Sequence, residues 1–111
     1  MRSVGILLSI ALIAGCDGIG GLTDLEYVAK AEESLDSGNL PAAIISLKNA
    51  LRENPDNTQA RWLLGNVYLD TGNGPSAEKE LTSARELGVA DESVIQLLAR
   101  SLIQQRKYHE V

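Results

Sequence analysis

Two side chains in this 111-residue chain are of the types most reactive near neutral pH: one cysteine, Cys16, and one histidine, His109. A lone thiol forms no internal disulfide. It can serve as nucleophile, metal ligand or acceptor of a modification, depending on its surroundings. Catalysis needs a convergent set of reactive and orienting groups. No metal-ligand spacing, phosphate-cradling glycine loop or nucleophile motif accompanies either residue. His109 falls in the closing RKYHEV and reads as a tail or turn residue. Glu32-Glu33 reads as a solvated helix face, and Gly20-Gly21 and Gly72-x-Gly74 as linker and turn. The chain is expected not to be an enzyme and to need no metal or organic cofactor.

Charge narrows the partners. Ten basic and fifteen acidic residues give a net charge of −5. Residues 1–15 hold only Arg2, which leaves nine basic against fifteen acidic residues, or −6, in the remainder. The basic residues are scattered, with no cluster beyond Arg106-Lys107. Nucleic acid needs clustered Lys and Arg to displace its counterions, so it is not an expected partner. The core must be aliphatic, because aromatics make up 4 % of the chain and phenylalanine is absent. With few β-branched runs after residue 16, that mixture favours helices.

Cys16 closes the segment MRSVGILLSIALIAGC, in which Arg2 precedes an apolar run from Val4 to Ala14. As a helix this run spans roughly 16 Å, against about 30 Å of bilayer hydrocarbon, so it matches a signal-peptide core rather than a membrane span. Ile13-Ala14-Gly15-Cys16 resembles the lipobox of bacterial lipoproteins. That resemblance implies cleavage before Cys16, lipidation of its thiol and acylation of the new N-terminus. Residues 1–15 are then a signal peptide and residues 16–23 a lipidated cysteine with a glycine-rich linker, DGIGG. Two or more acyl chains hold a protein on a membrane where one gives only reversible binding. Asp17 resembles an inner-membrane retention signal of such lipoproteins, and that resemblance implies the periplasmic face of the inner membrane in a bacterial envelope. An ordinary secretory signal, or a core helix with a buried free cysteine, would account for the same residues without an anchor.

From residue 24 the chain repeats itself at a spacing of 34. Gly38-Asn39-Leu40-Pro41 is answered by Gly72-Asn73-Gly74-Pro75, and Ala43, Leu47 and Ala50 by Ala77, Leu81 and Ala84. Three-fold sets also appear: Ala31, Gly65, Ala99, and Leu35, Leu69, Ile103. Each unit reads as two helices. Ala60, Leu64, Val67 and Tyr68 recur at helical spacing. Gly72 can end that helix in a left-handed conformation, Asn73 can cap the next, and Pro75 suits a first turn.

LLGNVYLDTGN (residues 63–73), with Ala77 and Ala84, resembles the tetratricopeptide repeat. The resemblance implies an all-α, antiparallel helix-pair solenoid of about 2.5 repeats and five helices: residues 24–57, 58–91 and a partial unit, 92–111. Four positions depart from the motif. Trp62 lies one residue after the usual tryptophan, where Arg61 stands; Val89 replaces the usual proline; Lys30 and Ser34 weaken the first unit. In this family the first helices of successive units line a concave groove. By that resemblance the partner-binding positions are Val28, Glu32, Trp62, Leu63, Asn66, Leu69, Asp70, Gln96, Arg100 and Ile103. Trp62 can equally be a packing residue. The basic carboxylate clamp of some chaperone-binding members is replaced by Val28, Glu32, Ser93 and Leu97.

KNALRENPDN and ARELGV, followed by LLARSLIQQRKYHEV, further resemble repeats of the tetratricopeptide lipoproteins that accompany exosortase (PEP-CTERM) sorting and exopolysaccharide systems. The function expected is a membrane-anchored scaffold for a protein or peptide partner, in such a system or in envelope export. The alternative is a truncated fragment of a longer array with no binding role of its own. Residues 94–103 hold six of Val, Ile and Leu. Val94, Ile95, Leu98 and Leu102 are accordingly expected to be partly uncovered, a surface for self-association.

Overall fold

The computed structural model describes residues 21–88 and 92–106, which form five helices. They are α1 (Asp24–Asp36), α2 (Leu40–Glu53), α3 (Thr58–Asp70), α4 (Gly74–Glu86) and α5 (Glu92–Gln104). The signal segment, Cys16, Asp17, Val89 and His109 lie outside the described residues.

Local chemistry sets each boundary. Thr23 Oγ1 accepts from the Glu26 amide at 3.2 Å, and Glu26 Oε1 accepts from the Thr23 amide at 3.0 Å, a reciprocal cap that satisfies two otherwise orphaned donors at the start of α1. Asparagines cap the next three helices, as Asn39, Asn57 and Asn73 accept from the amides of Ala42, Ala60 and Ser76. Pro41 and Pro75 sit in first turns, where no intrahelical donor is lost. At the other ends Gly38 and Gly72 take φ +77° and +78°. There the Asn39 and Asn73 amides donate back to Ser34 O and Tyr68 O, both at 2.8 Å, closing the helix end with its last carbonyls satisfied. Arg106 adopts the same left-handed backbone after α5, at φ 62°.

Short turns fold consecutive helices back on one another. α1 pairs with α2 and α3 with α4; α2 also packs on α3, α4 on α5, and α3 touches α5. Between them lies one continuous aliphatic core that includes Val28, Leu47, Leu64, Leu81 and Val94. Small residues let the helices close. A Cβ on Gly65 would lie 2.6 Å from Leu81 Cγ, and one on Gly74 would lie 3.1 Å from the Ser101 carbonyl oxygen. Gly74 is therefore a contact residue for α5 as well as part of a turn.

One expectation about α5 is corrected. Val94 and Leu98 are buried, at 0 % and 8 % exposure, because α5 lays its Val94–Leu97–Leu98–Ser101 face against α4 and α3. Ile95 and Ile103 remain 55 % and 49 % exposed, and Leu102 is half-buried.

Candidate functional site

The first helices, α1, α3 and α5, carry the positions expected to meet a partner, and packing divides them. Val28 and Leu69 are each 3 % exposed and belong to the core. They hold helices together and present no side chain to a ligand, which corrects their place in the groove. Trp62 and Leu63 are half-buried and pack against the same core, which leaves only part of each in reach of solvent. Glu32, Asp70, Gln96, Arg100 and Ile103 are exposed, and Asn66 is half-buried. The contact between α3 and α5 brings the Asn66 and Asp70 helix beside that of Gln96, Arg100 and Ile103. The Gln96 amide is steadied by Glu92 Oε1 at 3.2 Å, one turn earlier.

Two polar clusters that spacing did not reveal fix how the helices stand to one another. Arg61, in the place of the motif's tryptophan, donates from Nη1 to Glu80 Oε1 at 2.7 Å and from Nε to the Pro55 carbonyl at 3.2 Å. It ties α4, α3 and the turn before α3 together, with its side chain 18 % and that of Glu80 8 % exposed. No local signal in the sequence marks this pair, because Arg61 and Glu80 stand 19 positions apart on different helices. The second cluster centres on Asn57. Its Oδ1 caps α3 through the Ala60 amide at 2.9 Å, and its Nδ2 donates to Asp24 Oδ2 at 2.7 Å. Asn54 Nδ2 donates to the same oxygen at 3.1 Å. The Asn57 and Asn54 amides hold the Asp24 carboxyl below its ordinary value. Further along, Gln104 Nε2 donates to Leu69 O at 3.1 Å, and Gln105 Nε2 to Glu78 Oε2 at 2.6 Å, pinning the end of α5 to α3 and α4.

Among the described residues no three His, Cys, Asp or Glu side chains converge on a metal position. No helix among them is long and apolar enough to cross a membrane.

Residues 34–102 match the family model of the tetratricopeptide repeat, which is more than half of the chain. The chain belongs to the tetratricopeptide-repeat family. No curated protein matches it. Membership agrees with the helix pairs, the glycine–asparagine turns and the small-residue contacts described above. As a tetratricopeptide-repeat protein it is a scaffold for protein–protein interaction.

Proposed function

We propose that this tetratricopeptide-repeat chain is anchored to a bacterial envelope by a lipid on Cys16 and offers the first-helix row to a protein or peptide partner outside the cytoplasm. The row of Glu32, Asn66, Asp70, Gln96 and Arg100, polar and accessible beside a half-buried Trp62, carries the binding half of this reading. Such a surface offers hydrogen bonds along an extended segment and an aromatic edge for one apolar side chain. Arg2, the apolar run and Ile13-Ala14-Gly15-Cys16 support the anchor, and Asp17 supports the inner membrane's periplasmic face. The likeness of KNALRENPDN and ARELGV to exosortase-associated lipoproteins supports a setting in PEP-CTERM sorting or exopolysaccharide assembly.

Two measurements test the halves separately. Intact mass of membrane-extracted protein should begin at Cys16 and include a diacylglyceryl group, and Cys16→Ser should leave the chain unprocessed or release it from membranes. Unchanged processing and fractionation of that variant would remove the anchor. For the groove, a photo-crosslinking side chain placed at Asn66 or Gln96 in living cells should capture a protein adduct that the same group at Lys79, exposed on α4, does not. Equal capture from all three positions would remove the groove.

A further inference from the structure

The turn between α3 and α4 satisfies two demands at adjacent residues. Asn73 accepts from the Ser76 amide as the cap of α4, and its own amide closes the end of α3 on Tyr68 O. The next position must be glycine, because a Cβ on Gly74 would lie 3.0 Å from Gln105 Cγ and 3.1 Å from Ser101 O. Capping and packing together thus require an asparagine–glycine pair. With no Cβ on the second residue, the peptide between the two turns easily enough for the backbone amide to reach the asparagine side chain. The Gly74 N–H is the first of its helix and has no acceptor among the described residues.

The first pair of helices supplies a matched control. Asn39 caps α2 as Asn73 caps α4, with φ −89° and ψ 79° against φ −95° and ψ 75°. Both asparagines are exposed, and a proline follows each two residues on. Each side chain accepts one amide, at 3.2 Å from Ala42 and 3.3 Å from Ser76. Each carbonyl accepts another, at 3.1 Å from Ala43 and 3.0 Å from Ala77. Since proline donates nothing, turning either asparagine out of its cap breaks only these two bonds. The difference that bears on reactivity is the next residue: Leu40, half-buried against the core, or Gly74.

We propose that Asn73–Gly74 is a self-modifying site whose isoaspartyl product loosens α5. The Gly74 amide nitrogen, having given its proton to solvent base, attacks Asn73 Cγ. A bond forms between that nitrogen and Cγ, the Cγ–Nδ2 bond breaks, and the amide nitrogen leaves as ammonia with the proton returned. Water then opens the cyclic imide at either carbonyl, so the net change is water in and ammonia out. Opening on one side leaves aspartate, which still caps α4 and suits the positive end of its dipole. Opening on the other leaves isoaspartate, with one more carbon in the main chain between residues 73 and 74 and the capping carbonyl consumed in the backbone. Gly74 then loses either its place in the turn or its close approach to Ser101 and Gln105.

The test ages the full-length chain in warm, mildly alkaline buffer and maps its peptides by mass, with fragmentation that separates isoaspartate from aspartate. Residue 73 should gain one mass unit, as both products, at least about fivefold faster than residue 39, a ratio equal to about 1 kcal/mol of barrier. Leu40→Gly should bring Asn39 close to the rate of Asn73, whereas Leu40→Ala, which also strips core packing, should not. Amide exchange across residues 92–104 should be faster in the isoaspartyl form than in fresh protein. No conversion, or equal rates at the two asparagines, overturns the proposal. Aspartate alone at residue 73 does the same, because direct hydrolysis would then have bypassed the imide. So does an Asn39 that reacts alike in Leu40→Gly and Leu40→Ala. Unaltered exchange in α5 of the isoaspartyl form overturns the loosening.

Discussion

At the scale of single residues, two glycines and two acids do the most specific work. Gly65 admits Leu81 to a distance no Cβ would allow. Gly65→Ala must push a fully buried leucine aside, and overpacking of this kind costs about 1–3 kcal/mol, read as a lowered midpoint in chemical denaturation. Gly72 meets nothing within 4 Å, so its requirement lies in its backbone alone. Gly72→Ala should cost about 1–2 kcal/mol for the left-handed conformation, and Gly72→Asn distinctly less. Acid sensitivity follows from the N-terminal caps. Asp24 and Glu26 are held below their ordinary values of 3.8 and 4.5, Asp24 chiefly by Asn57 and Glu26 chiefly by the Thr23 amide. Depressed carboxyls stabilise the fold fully above the unfolded values, and that contribution is lost as pH falls through the folded ones. Stability should therefore be level above about pH 5 and fall below it, with Asp24→Asn flattening part of the decline in a series of melts at stepped pH.

At the scale of elements, the orientation of α3 rests on polar groups as much as on apolar ones. Asn57 both starts α3 and grips Asp24 at the start of α1. Asn57→Ala should lose about 1–2 kcal/mol, whereas Asn57→Asp keeps the cap but sets a carboxylate against that of Asp24. Arg61 and Glu80 should behave as a unit. Arg61→Ala alone leaves a nearly buried carboxylate without its cation, and should cost more than Arg61→Leu with Glu80→Leu together; a double-mutant cycle by urea denaturation measures the difference. The helices themselves were legible in the chain because Gly38-Asn39 and Gly72-Asn73 mark ends and starts by backbone chemistry that acts within a few residues. The Arg61–Glu80 pair was not legible. It joins positions 19 apart that only the crossing of α3 over α4 brings within 2.7 Å.

At the scale of the whole molecule, stability passes from neighbour to neighbour, since each helix chiefly touches the next. α5 packs on α4 on one side, is pinned by Gln104 and Gln105, and approaches α4 closely at Gly74. Gly74→Leu, which copies Leu40 of the first pair, should undock α5 while sparing α1 and α2. Amide exchange should then rise across residues 92–104 and stay slow within residues 40–53.

The 34-residue period, the turn residues and the aliphatic pattern by themselves determined that the chain forms paired helices of the tetratricopeptide type, because capping, helical periodicity and small-residue spacing are local properties. Which residues of those helices remain accessible was decided only in the tertiary structure. Val28 and Leu69 occupy groove positions of the repeat yet lie in the core, and Leu98 is covered while Ile95 is not. Burial is a property of what a neighbouring helix covers, and that depends on crossing geometry set by contacts such as Gly65 with Leu81, far apart along the chain.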